Sequence, residues 1–155
     1  MNELSEHYLN SYMSTLTHIE KEKVPATNAF HFGNTKECAD ICAELTVQGK
    51  KRGTASLEWC FTIGNEAYPE VGELDVITNW NNEPLCIIEI TKVKVCPFNE
   101  VDESFAIEEG EGDSSLQFWR KVHWAFFSQE CHDLGKRPSE TMPIVLQWFK
   151  VVHTK

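Results

Sequence analysis

The sequence predicts an α+β domain: a small, curled, mostly antiparallel sheet flanked by helices. Helical patterns stand near both ends of the chain, at residues 3–20 and 116–134, with strand patterns between them and after the second. The strongest strand, "LCIIEITKVKVCPF" at 85–98, opens as a continuous apolar run and then alternates. A strand apolar on both faces at one end suits a curled or closed sheet better than a flat one. The chain has 155 residues, 41% of them hydrophobic, with five tryptophans. That is enough for one domain with a single substantial core.

Leu4, Tyr8, Tyr12 and Leu16 recur at helical spacing, so an amphipathic helix is expected from residue 3 to about 20. Pro25 closes it, which makes 1–25 an N-terminal helical extension to a core of about 30–153. "FHFGNT" at 30–35 reads as a loop, and Asn34 or Thr35 caps the next helix with Glu37 in its first turn. The apolar stripe of that helix is Cys38, Ile41, Cys42 and Leu45, and Gly49 fits the left-handed position that ends it. "TASLEWCF" at 54–61 reads as a strand.

Pro69 and Gly72 mark a turn before the short strand "ELDVIT", and "NWNNEP" is a hairpin signal leading into the long strand. In the second half of that strand Thr91, Val93 and Val95 face one way, Lys92 and Lys94 the other. A short helix ends near Ile107. Ser114 or Ser115 then caps a long helix stopped by Gly135, with Leu116, Trp119, Val122, His123 and Phe126 on its apolar face. "MPIVLQWFKVV" supplies the final strand.

No apolar run approaches the ~20 residues of a membrane helix, and the N-terminus lacks the flanks of a signal peptide. The expected location is therefore cytoplasmic, with the six cysteines reduced. Cys38 and Cys42 are four apart, the other cysteines are isolated, and no CxxC pair occurs; no metal or other cofactor is expected. A net charge of -10 argues against a general grip on duplex DNA, which needs a broad basic face. It leaves room for a nucleoside or a short RNA at one local basic spot.

That spot is "VQGKKRGTAS" at 47–56, where Lys50, Lys51 and Arg52 stand together and Thr54 and Ser56 follow. A lysine works as a base only when burial or neighbouring cations lower its pKa, and a threonine hydroxyl needs such a base within reach. Residues three apart on a regular strand point to opposite faces, so a tight turn has to bring Lys51 and Thr54 together. The plainer reading is a solvated basic loop. "EEGEGD" at 108–113 is the acidic counterpart, and folding it against the basic triplet would relieve both charge clusters. Left alone it is a solvated loop with glycine hinges. Arg120 and His123 share a face of the long helix beside Trp119 and Trp124, an arrangement that suits a stacked base or simple packing. Ser128 has no base in local spacing.

Together these blocks resemble the ASCH domain family, whose fold is a PUA-like pseudo-barrel, over about Phe32 to Val152. The resemblance rests on "FG" at 32–33, "GKKRGTAS", "PEVGELDVI", "IIEITKVKVCPFNEVDESFA", "EGEGDSSLQFWRKVHWAFFSQE" and "MPIVLQWFKVV". It implies nucleoside or RNA chemistry in a larger bacterial branch of that family. Small members are amidohydrolases that deacetylate acetylated cytidine with a Lys-x-x-Thr pair and a later Glu. Other members are described as ribonucleases or RNA-binding modules. The pattern falls on Lys51 and Thr54, with Glu111 as first choice for the acid and Glu109 as second. Where the small enzymes carry an Arg, this chain has Ser56.

The resemblance thus implies a metal-independent hydrolase acting on a modified nucleoside or on RNA, with Lys51, Thr54 and Glu111 catalytic. Lys50, Arg52, Ser56, Arg120, His123 and Ser128 would contact the substrate. The alternative is a non-catalytic RNA-binding module, and a homodimer is left open.

Overall fold

The computed structural model describes all residues, Met1–Lys155. Five strands form one sheet in the order β1-β3-β4-β5-β2: β1 Thr27–Phe30, β2 Gly53–Leu57, β3 Leu74–Thr78, β4 Pro84–Pro97 and β5 Pro143–Thr154. Every neighbouring pair is antiparallel except β1 with β3. Six helices surround it: α1 Glu3–Met13, α2 His18–Glu22, α3 Lys36–Val47, α4 Glu58–Gly64, α5 Glu103–Glu109 and α6 Leu116–Asp133. The α+β class and the curled sheet match the expectation. No helix is long and apolar enough to cross a membrane.

The two-part character of β4 has a topological cause. Its first half lies between β3 and β5, so Cys86, Ile87, Ile88 and Ile90 are buried. Beyond a register shift between Ile90 and Lys92 only β5 flanks it, and Lys92, Lys94 and Val95 are exposed. The edge strands β1 and β2 are not bonded to each other, yet residues of both line the same two cavities. The sheet therefore curls until its edges face one another across a cleft. Helix α3 closes one side of the core through Cys42 and Ala43. Phe105 of α5 and Trp119 and Phe127 of α6 fill the other.

Five local expectations change. The N-terminal helix is broken, because Thr17 and Glu20 form a reciprocal capping box that starts α2 afresh. Its buried side is Ser5 and Leu9, whereas Leu4 is exposed. Strand β1 was not foreseen: four residues carry no readable alternation. The expected strand over 54–61 ends at Leu57, after which 58–64 turn into α4, closed by Asn65 in the left-handed region at φ 53°. On α3, Ile41 faces solvent and Ala39, Cys42, Ala43 and Thr46 are buried. On α6 the buried line is Trp119, His123, Phe127 and Cys131, a strict i, i+4 series, while Val122 is exposed.

The caps fall where expected. Thr35 accepts from the Cys38 N–H, Ser115 from the Phe118 N–H, and Gly49 takes φ 70° after α3.

Candidate functional site

A cavity of about 240 Å³ opens between the edge of β2 and helix α6. Thr54 and Ser56 of β2, Phe32 of the segment after β1, Cys38 and Cys42 of α3, and His123 of α6 line it, together with Lys51, Glu109 and Glu111.

Lys51 leaves the C-terminal end of α3, where its N–H and that of Lys50 both donate to the Leu45 carbonyl. This turn drives the side chain inward until the residue is only 1% exposed. Its Nζ donates to Glu111 Oε1 at 2.6 Å, stands 4.0 Å from Glu109 Oε2, and lies 5.0 Å from the centre of the Phe32 ring. The acidic segment does fold onto the basic one. Arg52 pairs with Glu108 at 3.0 Å, and the Arg52 N–H donates to the Glu108 carbonyl. Gly110 makes this approach possible: it has φ 65°, and a Cβ there would sit 2.4 Å from the Lys50 carbonyl oxygen.

One expectation is overturned. Burial does act to lower the Lys51 pKa, but the charges of Glu109 and Glu111 outweigh it and hold the group above its ordinary value of 10.5. Lys50 is exposed and Arg52 is neutralised by Glu108, so neither presses on Lys51. Lys51 is an ammonium at neutral pH.

Glu109 is the hub of the inner wall. It is 1% exposed, accepts from Trp119 Nε1–H at 3.0 Å and lies 2.9 Å from His123 Nε2. Burial would raise its pKa, but Lys51 and His123 hold it below the usual carboxylate range. His123 is the mirror case: burial favours the neutral ring, and Glu109 reverses this and raises its pKa above 6.5. Its Nδ1–H donates to the Trp119 carbonyl at 2.9 Å, so the charged ring has both donors satisfied.

The other expected contacts divide. Ser56 lines the cavity with Thr54. Lys50 and Arg52 lie outside its lining. Arg120 also lies outside, donating to the carbonyls of Asn99 and Val101, and Ser128 is absent from the lining, with its Oγ buried and unbonded. Sequence reasoning missed the thiols: Cys38 and Cys42 bring their sulfurs to 3.9 Å at the cavity wall. The Cys42 hydrogen bond lowers Cys38 to about 7 and raises Cys42. Their i, i+4 spacing was visible, but its direction was not. No three His, Cys, Asp or Glu side chains are grouped to hold a metal ion.

The family model for the ASCH domain matches residues 28–153, most of the chain. This chain belongs to the ASCH domain family. The crystal structure of an ASCH domain from Lactobacillus crispatus JV V101 superposes with a TM-score of 0.94 at 44% identity, covering 99% of this chain and 96% of that one. Protein EF3133 from Enterococcus faecalis V583 superposes at 0.84 with 28% identity, covering 99% and 91%. Hypothetical protein PH0355, at 16% identity and a TM-score of 0.52, covering 82% and 99%, shares the fold alone. A comparison with curated proteins finds no match. The curled sheet and its flanking helices are thus the PUA-like fold of an ASCH domain.

Proposed function

We propose that this ASCH domain binds a modified nucleoside in the cavity between β2 and α6 and hydrolyses an amide on its base. The observation that carries the reading is the contact of buried Lys51 with Glu111 in a cavity that Thr54 also lines. At about 240 Å³ the cavity lies just below the ~300–1,000 Å³ usual for small-ligand pockets, a scale for a base and not for a duplex.

Because Lys51 stays charged, the proton carrier is Glu111. A water held by Thr54 adds its oxygen to the amide carbon, and Glu111 takes the water's proton. The ammonium of Lys51 and the Thr54 hydroxyl face the oxygen on which negative charge develops. Glu111 then returns the proton to the leaving nitrogen as the C–N bond breaks, giving a carboxylic acid and an amine with the carboxylate restored. Glu109 and His123 touch neither reactant; Glu109 helps hold Lys51 charged, and His123 holds Glu109 in place.

A second reading, RNA binding without turnover, has one observation in its favour. A permanently charged lysine equally suits a phosphate oxygen, and in an RNA-cleaving version it would stabilise the phosphorane. Incubation of the purified protein with acetylated cytidine and, separately, with a short single-stranded RNA distinguishes these readings. Release of cytidine supports the amidase, and shortened RNA the nuclease. Salt-sensitive RNA binding with neither product leaves the binding module.

A further inference from the structure

Beyond the site just described, we propose that the neighbouring acidic cavity is a binding site for an organic cation, an amine or guanidinium group held at Asp75. This cavity, of about 630 Å³, shares Phe30, Thr54 and Ser56 with the smaller one. Glu66, Glu70, Glu73 and Asp75 line it, and no Lys, Arg or His does. Three of those carboxylates are ordinary surface groups or nearly so, but Asp75 is not. It is the second residue of β3, all five residues of which are buried, is itself 3% exposed, and its Oδ1 has no hydrogen-bond donor.

A buried carboxyl without a donor weakens a fold, so a retained one asks for a partner. Burial, with the nearby charge of Glu73 and a hydrogen bond in which the protonated Asp75 donates to the Glu73 carboxylate, raises its pKa to about 7. Oδ1 is still left without a donor. An ammonium or guanidinium entering the cavity supplies both the missing N–H donor and the opposite charge. Phe61 and Tyr68, whose rings stack at 5.5 Å with an interplanar angle of 15°, line the same cavity and add aromatic surface of the kind that favours an organic cation. Phosphate-bearing ligands meet four carboxylates here and are repelled. A metal ion is not favoured, because no three ligating side chains are grouped for one. The site stands whether or not the smaller cavity is catalytic.

Agmatine, with an amine at one end and a guanidinium at the other, is the probe. Calorimetric titration of the full chain at low salt should show one-to-one binding. Asp75→Asn should weaken it at least about tenfold, the loss of a charge-assisted contact. Glu111→Gln should leave it within about twofold, since Glu111 does not line this cavity. Asp75→Asn removes a buried charge and should melt no lower than the parent at pH 8, so weakened binding is not unfolding. Absence of binding up to ~10 mM overturns the proposal. So does equal affinity in parent and Asp75→Asn, or equally tight binding of magnesium or inorganic phosphate at the same site.

Discussion

Lys51 Nζ lies 2.6 Å from Glu111 Oε1 with the lysine 1% exposed, so the cation at the cavity wall already has its carboxylate before any ligand arrives. A lysine raised above 10.5 keeps its proton below that value and loses it only as pH rises through the higher one. Turnover should therefore show no rise between about pH 7 and 9 that belongs to lysine deprotonation. Arg52→Gln should leave the profile unmoved, because Glu108 already neutralises Arg52. A profile that moves upward in Arg52→Gln would restore Lys51 as the titrating base.

The two candidate carboxylates should separate cleanly. Glu109 anchors Lys51, His123 and Trp119 in the interior. Glu109→Ala strands the buried His123 ring and leaves Lys51 with Glu111 alone, and should cost about 3–5 kcal/mol in denaturant unfolding. Glu111 is at the more exposed end of the cluster, 20% exposed at its side chain, and Glu111→Gln should cost less than about 1.5 kcal/mol while removing turnover. Equal destabilisation by the two changes would contradict this division.

The His123–Glu109 pair makes stability fall with alkali. The His123 pKa is raised on folding, so its contribution is complete below 6.5 and is lost as pH rises through the higher folded value. Glu109 is lowered, so its contribution is present above 4.5 and fails only in acid. Asp75, flanked by Glu73 and by neutral Asn28 and Ile88 on the adjoining strands, also weakens the fold as pH rises, between 3.8 and about 7. Melting temperatures should thus drop as pH rises above about 6.5, and His123→Gln should flatten that drop. An unchanged slope in His123→Gln would remove the histidine from the account.

Gly110 is a backbone device. A methyl there meets the Lys50 carbonyl and must also adopt φ 65°. Gly110→Ala should cost about 1–3 kcal/mol and push Glu111 off Lys51. Turnover should fall further than stability does; a variant with parental kcat/KM would show that the loop approach is dispensable.

Of the six thiols, Cys38 alone is lowered, to about 7, while Cys42, Cys60, Cys86, Cys96 and Cys131 are all raised. Brief iodoacetamide treatment near neutral pH, followed by peptide mass spectrometry, should label Cys38 first. Preferential labelling of Cys60 would contradict the cavity geometry.

How much of this was legible in the sequence depended on whether a local signal fixed the answer. Thr35, Ser115 and Gly49 are read within one turn of chain, and each falls where the helix ends require. The attraction between "KKR" and "EEGEGD" is legible as charge, and it does close the cavity. What failed needed three-dimensional neighbours. Four residues of β1 are a strand only because β3 offers a parallel edge. The inward swing of Lys51 depends on the turn after α3, and its pKa on two carboxylates 58 and 60 positions away. Arg120 shares a helix with His123, yet it reaches back to the Asn99 and Val101 carbonyls, a contact that helical spacing cannot reveal.

The most direct test of the central claim is the rate of cytidine release from acetylated cytidine by the parent and by Glu111→Gln, with binding of the nucleoside measured on both. Loss of a proton carrier should lower kcat by ~10²–10⁴ while the Kd changes by less than about threefold. A parent that binds the nucleoside and releases no cytidine, or a Glu111→Gln variant that turns over at the parental rate, would contradict the account.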